Sequence, residues 1–219
     1  IRYKKRREGF LPAVVLLRAS APGPVIGGNS PGVPYLCTES FFKKSRFENM
    51  ADPNDAPLSL LPHLRQRARA ARKFNKKFFR KLAARPPRDL DVAVAGLHDA
   101  VFEEVDCLQC GNCCKTTSPI FRDVDIERLA AHLGMRPADF VDRHLHLDED
   151  GDYVLNAAPC PFLGPDHYCA VYEARPRACR DYPHTNRKNF HQLLDLTLKN
   201  TAICPAAFEI VRRLRQIMQ

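Results

Sequence analysis

Four cysteines fall in the run CLQCGNCCK, at Cys107, Cys110, Cys113 and Cys114. A CxxC step places two sulfurs on one turn of chain, near enough to share an ion, with backbone N–H groups turned toward them. Cys107, Cys110 and Cys113 repeat that step twice and can supply three ligands to one centre. Cys114 complicates the picture, because the side chains of neighbouring residues diverge. The adjacent pair either splits between two centres or grips a larger cluster together. Cys160, Cys169, Cys179 and Cys204 follow, and the eight thiols make two sets of four. Zinc takes four thiolates tetrahedrally, and a four-iron cluster also takes four. The opening C-x-x-C-x-x-C is that of a bacterial ferredoxin run. Cys114 then arrives where that run has three residues followed by Cys-Pro, so the ferredoxin pattern fails. Disulfides are the competing use in a secreted chain, and two CxxC steps with an adjacent pair suit them poorly. In a cytoplasmic chain, dense cysteine reads as metal binding or redox chemistry.

Other residues near the thiols have assignable roles. Lys115, Arg122, Arg175, Arg177 and Arg180 are candidates to neutralise thiolates and donate to sulfur, set against a plain role as solvated surface charge. His167 and His184 are alternative ligands. With eight thiols present they read as structural or surface residues. Tyr168, Tyr172 and Tyr182 flank cysteines and are expected to pack beside the centre and shield it from water. The acidic run DEDGDY, residues 148–153, lacks the spacing and closing glutamate of a calcium loop and reads as a hairpin turn. The sequence contains neither a Gly-rich phosphate loop nor a nucleophile-elbow motif. A Cys–His hydrolase would leave seven thiols unused.

The elements that must position these residues are mostly helical. Residues 57–88 hold no acid between Asp55 and Asp89. Leu64, Ala68, Ala71, Phe78 and Leu82 recur there at helical spacing, which predicts a basic amphipathic helix stopped by Pro86-Pro87. Asp89 is the expected cap of a second helix running to about Val105, with Leu90, Val94, Leu97, Val101 and Val105 on one face. Asp123 is the expected N-cap of a third helix, which Gly134 ends. Pro137 opens a short fourth helix. LHLDEDGDYVLN reads as a hairpin, residues 158–184 as irregular Cys- and Pro-rich chain, and NRKNFHQLLDLTLKN and PAAFEIVRRLRQIM as closing helices.

The chain has 219 residues, nine cysteines, no Trp, 45% hydrophobic residues and a formal net charge of +9 that counts thiols as neutral. No apolar run approaches the roughly 20 residues a membrane-spanning helix needs. The first methionine is Met50. Residues 1–49, with Cys37, are expected to be disordered or a gene-start artefact. A secretory signal is the competing reading, which Pro12 and Arg18 interrupt.

Taken together, CLQCGNCC, PCPFL (159–163), YCAVYEARPRACRDYP (168–183) and the final Cys204 resemble the YkgJ-type CxxCxxCC cysteine-cluster family, described as zinc- or iron-chelating. The resemblance runs over residues 100–210. It implies metal ligation by Cys107, Cys110, Cys113, Cys114, Cys160, Cys169, Cys179 and Cys204. Proteins with a related cluster are linked to lysine methylation of flagellin, but no S-adenosylmethionine site is recognisable here.

The expected fold is mainly α with irregular Cys-rich loops and a short β-hairpin, a small metal-centred domain. Its parts are a basic helix over 50–88 and a Cys-cluster domain over 89–219. The leading function is binding of zinc or iron, a 4Fe-4S cluster included, in the cytoplasm. One alternative is a cluster-dependent redox or methylase-like enzyme with a redox or protein partner. The other is an interaction module whose basic helix, 57–88, contacts nucleic acid or an anionic membrane.

Overall fold

The structure is a computed structural model and describes residues 57–218. The expectations for residues 1–49, Cys37 included, lie outside the described residues. In chain order come a 3-10 segment Pro57–His63, α1 (Leu64–Ala84), α2 (Leu90–Glu104), α3 (Cys107–Cys110), α4 (Asn112–Thr116), α5 (Asp123–His132) and α6 (Pro137–His144). The hairpin β1 (Leu145–Leu147) and β2 (Tyr153–Leu155) follows, then α7 (Arg177–Asp181), α8 (Leu194–Asn200) and α9 (Pro205–Ile217). No helix among the described residues is long and apolar enough to cross a membrane. The mainly helical architecture with a single two-stranded hairpin is the one expected.

The first core belongs to the helices at the two ends of the described chain. α2 buries Leu90, Val94, Leu97 and Val101, with Val105 just past its end, a helical stripe facing a partner. That partner is α9, which turns Ala206, Ala207, Ile210, Val211 and Leu214 inward. Phe79 and Leu82 of α1 and Leu194 and Leu198 of α8 close the same cluster. Each fully buried aliphatic side chain contributes about 1.5–3 kcal/mol. The predicted helix over 57–88 is shortened. Residues 57–63 form 3-10 turns around Pro62, because proline lacks an N–H and disfavours helical backbone at the residue before it. Of the three phenylalanines on α1, Phe79 is buried in the core, whereas Phe78 is only partly covered and Phe74 is exposed.

A buried ion network fixes α9 to the end of α2. Glu209 is 1% exposed and accepts from Arg212 at 2.7 Å and from Arg213 Nε at 2.5 Å. The rest of the Arg213 fork reaches Glu104 at 2.9 and 2.8 Å. Burial opposes charge on Glu209, but the two guanidiniums outweigh it and hold the carboxyl below its ordinary pKa. Glu104 stands three residues before Cys107, so this network sets where the chain enters the cysteine run.

A second, smaller core gathers Phe121, Ile126, Leu129, Phe140, Leu145, Leu155, Val171 and Ala174 from α5, α6, the hairpin and the loop after it. The hairpin pairs Leu145 with Leu155 and Leu147 with Tyr153. Asp148 closes its turn by accepting from the N–H groups of Asp150 and Asp152, as the acidic-turn reading expects. The N-cap of α5 is Arg122 rather than Asp123. Asp125 is the reason: its carboxylate reaches back to the Arg122 N–H at 3.3 Å. Gly134 ends the helix with φ +68, and Met135 N–H bonds back to Ala130 O at 3.0 Å, a Schellman closure. α2 begins after Asp89, whose backbone carbonyl accepts from Ala93 at 2.9 Å while its side chain makes no cap bond.

Candidate metal centre

The cysteine run folds as two short helical turns joined at a glycine. Asp106 caps α3 by accepting from Leu108 N–H at 2.9 Å. Gly111 then takes φ +56, and α4 begins with Lys115 N–H bonding to Gly111 O at 3.1 Å. A Cβ at Gly111 would stand 3.3 Å from His167 Cγ. Glycine is needed here both for the left-handed backbone and for the close approach. Spacing alone placed the thiols on tight turns and did not foresee this break between Cys110 and Cys113. Helices of 4 and 5 residues are far below the length that sustains itself, so other segments must hold them.

The loop carrying Cys160 and Cys169 does part of that. Cys160 N–H donates to Cys114 O at 2.8 Å. Leu163 N–H donates back to Cys160 O at 3.0 Å, and Leu163 bridges Cys169 in antiparallel fashion, so Cys160 and Cys169 share one tight loop. His167 sits between them with φ +66. Lys115 Nζ donates to its Nε2 at 2.7 Å, which leaves Nδ1 to donate to Gln109 O at 3.2 Å. The ring thus clamps the loop onto α3 and α4, a structural role for His167. Left-handed backbone at a non-glycine costs about 1–2 kcal/mol, which those two bonds offset.

Cys179 is positioned from α5. The carboxylate of buried Asp125 pairs with Arg128 and accepts from Arg177 N–H at 3.1 Å. Arg128 also donates to the backbone carbonyls of Ala174 and Arg175, each at 3.1 Å. These bonds fix the start of α7, where Cys179 N–H bonds to Pro176 O at 3.0 Å. Nothing in the sequence pattern marked Asp125 and Arg128 for this work. Their three-residue spacing on a helix face is the only trace.

Cys204 lies in the helical core, at the N-cap of α9, with its sulfur 3.4 Å from Ala207 N. One residue earlier, Ile203 O accepts from Asn112 Nδ2 at 2.6 Å, tying the start of α4 to this corner. The chain around Tyr182-Pro183 is held by Asn200 Nδ2 donating to Pro183 O at 3.1 Å and by the His98–Thr185 pair at 2.8 Å.

The three tyrosines behave differently. Tyr168 is 55% exposed and shields nothing, contrary to expectation, because the Gly164–Tyr168 bond that closes its turn leaves the ring outside. Tyr172 lies under the guanidinium of Arg175, 3.7 Å from its ring centre. The Tyr182 hydroxyl is buried and makes no hydrogen bond. Burial first, then the charges of Cys204, Cys113, Cys110 and Cys107, push its pKa up. A buried hydroxyl donor facing sulfurs suits an anionic thiolate centre.

All eight described cysteines are reduced thiols. Burial is the first cause raising Cys160 to about 11 and Cys179 and Cys204 to about 12. Cys110 and Cys169 are raised for the same reason. Cys179 keeps exposed residue surface, yet desolvation of its thiol is followed by repulsion from Cys114, Cys160 and Cys169. Cys113 and Cys114 stand 3.9 Å apart, sulfur to sulfur. The bond between them holds the proton on Cys113 and favours the thiolate at Cys114. Of the five basic residues, Lys115 stabilises charge on Cys110 and Cys114, and Arg175 on Cys169 and Cys179. Arg177 instead pairs with Asp181 at 3.2 Å.

Among the described residues no three Cys, His, Asp or Glu groups yet stand in a metal cage. The donor set itself fits zinc or iron: eight free, soft thiols, five of them with their pKa raised by burial.

Known proteins were compared with this chain. A family model described as "CxxCxxCC: Putative zinc- or iron-chelating domain" matches residues 106–198. No curated protein and no solved structure matches. The matched segment runs from the cap of α3 into α8 and takes in seven of the eight thiols, with Cys204 just beyond it. Residues 106–198 of this chain are thus similar to the CxxCxxCC domain, described as zinc- or iron-chelating.

Proposed function

We propose that the chain binds zinc or iron through Cys107, Cys110, Cys113, Cys114, Cys160, Cys169, Cys179 and Cys204. The metal's first role is to fasten the cysteine-bearing loops to the helical core. The observation that carries this reading is the set of free thiols, most of them half-buried, on four stretches of chain that hydrogen bonds tie together: the 107–114 run, the Cys160–Cys169 loop, α7 and the start of α9. Zinc on thiolates would be redox-silent and structural. A four-iron cluster would add one-electron chemistry. A reducing, cytoplasmic compartment suits so many thiols.

A redox or methylase-like enzyme needs an open coordination position or a cavity beside the sulfurs. Anaerobic purification of the full chain, followed by metal analysis and visible absorption, tests the reading. Colourless protein with about two zinc ions supports a structural centre. Iron with acid-labile sulfide and a broad band near ~400 nm supports the cluster. Stoichiometric absence of both rejects the proposal.

A second reading rests on α1. Arg69, Arg72, Lys73, Lys76, Lys77 and Arg80 are exposed on it, and Phe74 among them is 66% exposed. This is the composition of a surface that contacts phosphate groups of nucleic acid or of an anionic bilayer. Replacing Lys73, Lys76, Lys77 and Arg80 with Gln should abolish salt-sensitive binding to such polyanions and leave metal content unchanged. Equal binding by the variant would reject this reading.

A further inference from the structure

We propose that the eight cysteines form two separate four-thiolate sites, Cys107, Cys110, Cys113 and Cys204 in one and Cys114, Cys160, Cys169 and Cys179 in the other, so that the adjacent pair is divided. This rests on the metal-binding reading above and adds how the ligands are shared.

The sulfur separation of 3.9 Å at Cys113 and Cys114 would by itself let both hold one ion of zinc's bond length. What divides them is the company each keeps. Successive residues of a helix point about 100° apart, and the two faces of α4 are stitched to different parts of the molecule. Asn112, directly before Cys113, reaches Ile203, directly before Cys204. Cys114 instead accepts the Cys160 N–H through its own carbonyl. Cys160 and Cys169 are joined through Leu163 and pack on the second core, whereas Cys204 belongs to the first. Cys179 reaches the same side as Cys160 because Asp125 and Arg128 of α5 hold the start of α7.

Cys107 and Cys110 lead to Cys113 by two CxxC steps, which places them with Cys113 and Cys204 and leaves Cys114 to the second set. Four thiolates apiece satisfies either zinc or a four-iron cluster.

The test is metal content of the full chain with single and paired Cys→Ser changes. C113S and C204S should each lose half of the bound metal, and C113S/C204S together should lose no more than half. C114S and C179S should behave likewise for the other half, and C113S/C114S should lose all of it. Loss of all metal in any single variant would overturn the division, as would C113S/C114S losing only half. A wild-type chain without metal would overturn the underlying reading as well. Because a variant can fail to fold, stepwise chelation of the wild-type chain with alkylation mapping gives an independent check. Thiols should become reactive in the two stated sets of four. Joint release of Cys113 and Cys114 ahead of their partners would contradict the proposal.

Discussion

α2 turns Leu90, Val94, Leu97 and Val101 into a core shared with α9, while α3, α4 and α7, which carry five of the eight thiols, bury no residue at all. The helical part is held by apolar surface removed from water and by one ion network at Glu209. These three short helices lean instead on bonds from neighbouring segments: Cys160 to Cys114, Lys115 to His167, Arg128 to the loop before α7, a loop that itself packs Val171 and Ala174 into the second core. A region with so little buried surface of its own depends on cross-links, and the side chains available for that are thiols. The contrast teaches where metal removal should be felt and where it should not.

The comparison can be broken from the helical side first. Glu209→Ala leaves Arg213 buried with only one partner, and removing one member of a buried pair costs about 3–5 kcal/mol. Denaturant unfolding of metal-loaded protein should show that loss while metal per chain stays at its wild-type value. The same carboxylate gives a pH signature. Its folded pKa lies below the ordinary value, so its contribution is complete above the unfolded pKa of about 4.3 and is lost as pH falls through the folded one. Glu209→Gln should flatten the stability profile in that acid range. Leu97→Ala, at a position with no exposure, should cost about 2–5 kcal/mol, again with metal content intact.

A smaller change sharpens the comparison from the other side. Gly111→Ala forces an alanine into left-handed backbone, at about 1–2 kcal/mol, and presses its methyl on His167. The global unfolding midpoint should move little. Competition with a chromophoric chelator should show faster metal release. Unchanged release kinetics would mean that the turn between Cys110 and Cys113 is not part of the centre.

Much of this architecture was legible in the sequence where periodicity carried it. The stripe from Leu90 to Val105, the hairpin around Gly151 and the helix opened by Pro137 all follow from local pattern, since burial repeats at the period of the element. The spacing of the cysteines marked them as candidate ligands. What the pattern could not supply was long-range pairing. The bonds from Asn112 to Ile203 and from Cys160 to Cys114 join residues far apart in sequence, and they decide which thiols are neighbours. Asp125 was hidden for the same reason: it acts on a loop 52 residues away. Tyr168 misled because adjacency to a cysteine says nothing about which way a turn residue faces.

The most direct measurement is hydrogen exchange of the full chain, read peptide by peptide, with metal bound and after chelation under reducing conditions. Amides of 107–116 and 158–184 should lose protection when the metal leaves, while those of α2 and α9 keep it. Equal protection of the cysteine segments in both states would contradict the claim that metal holds them, and so would loss of protection spread evenly over the whole domain.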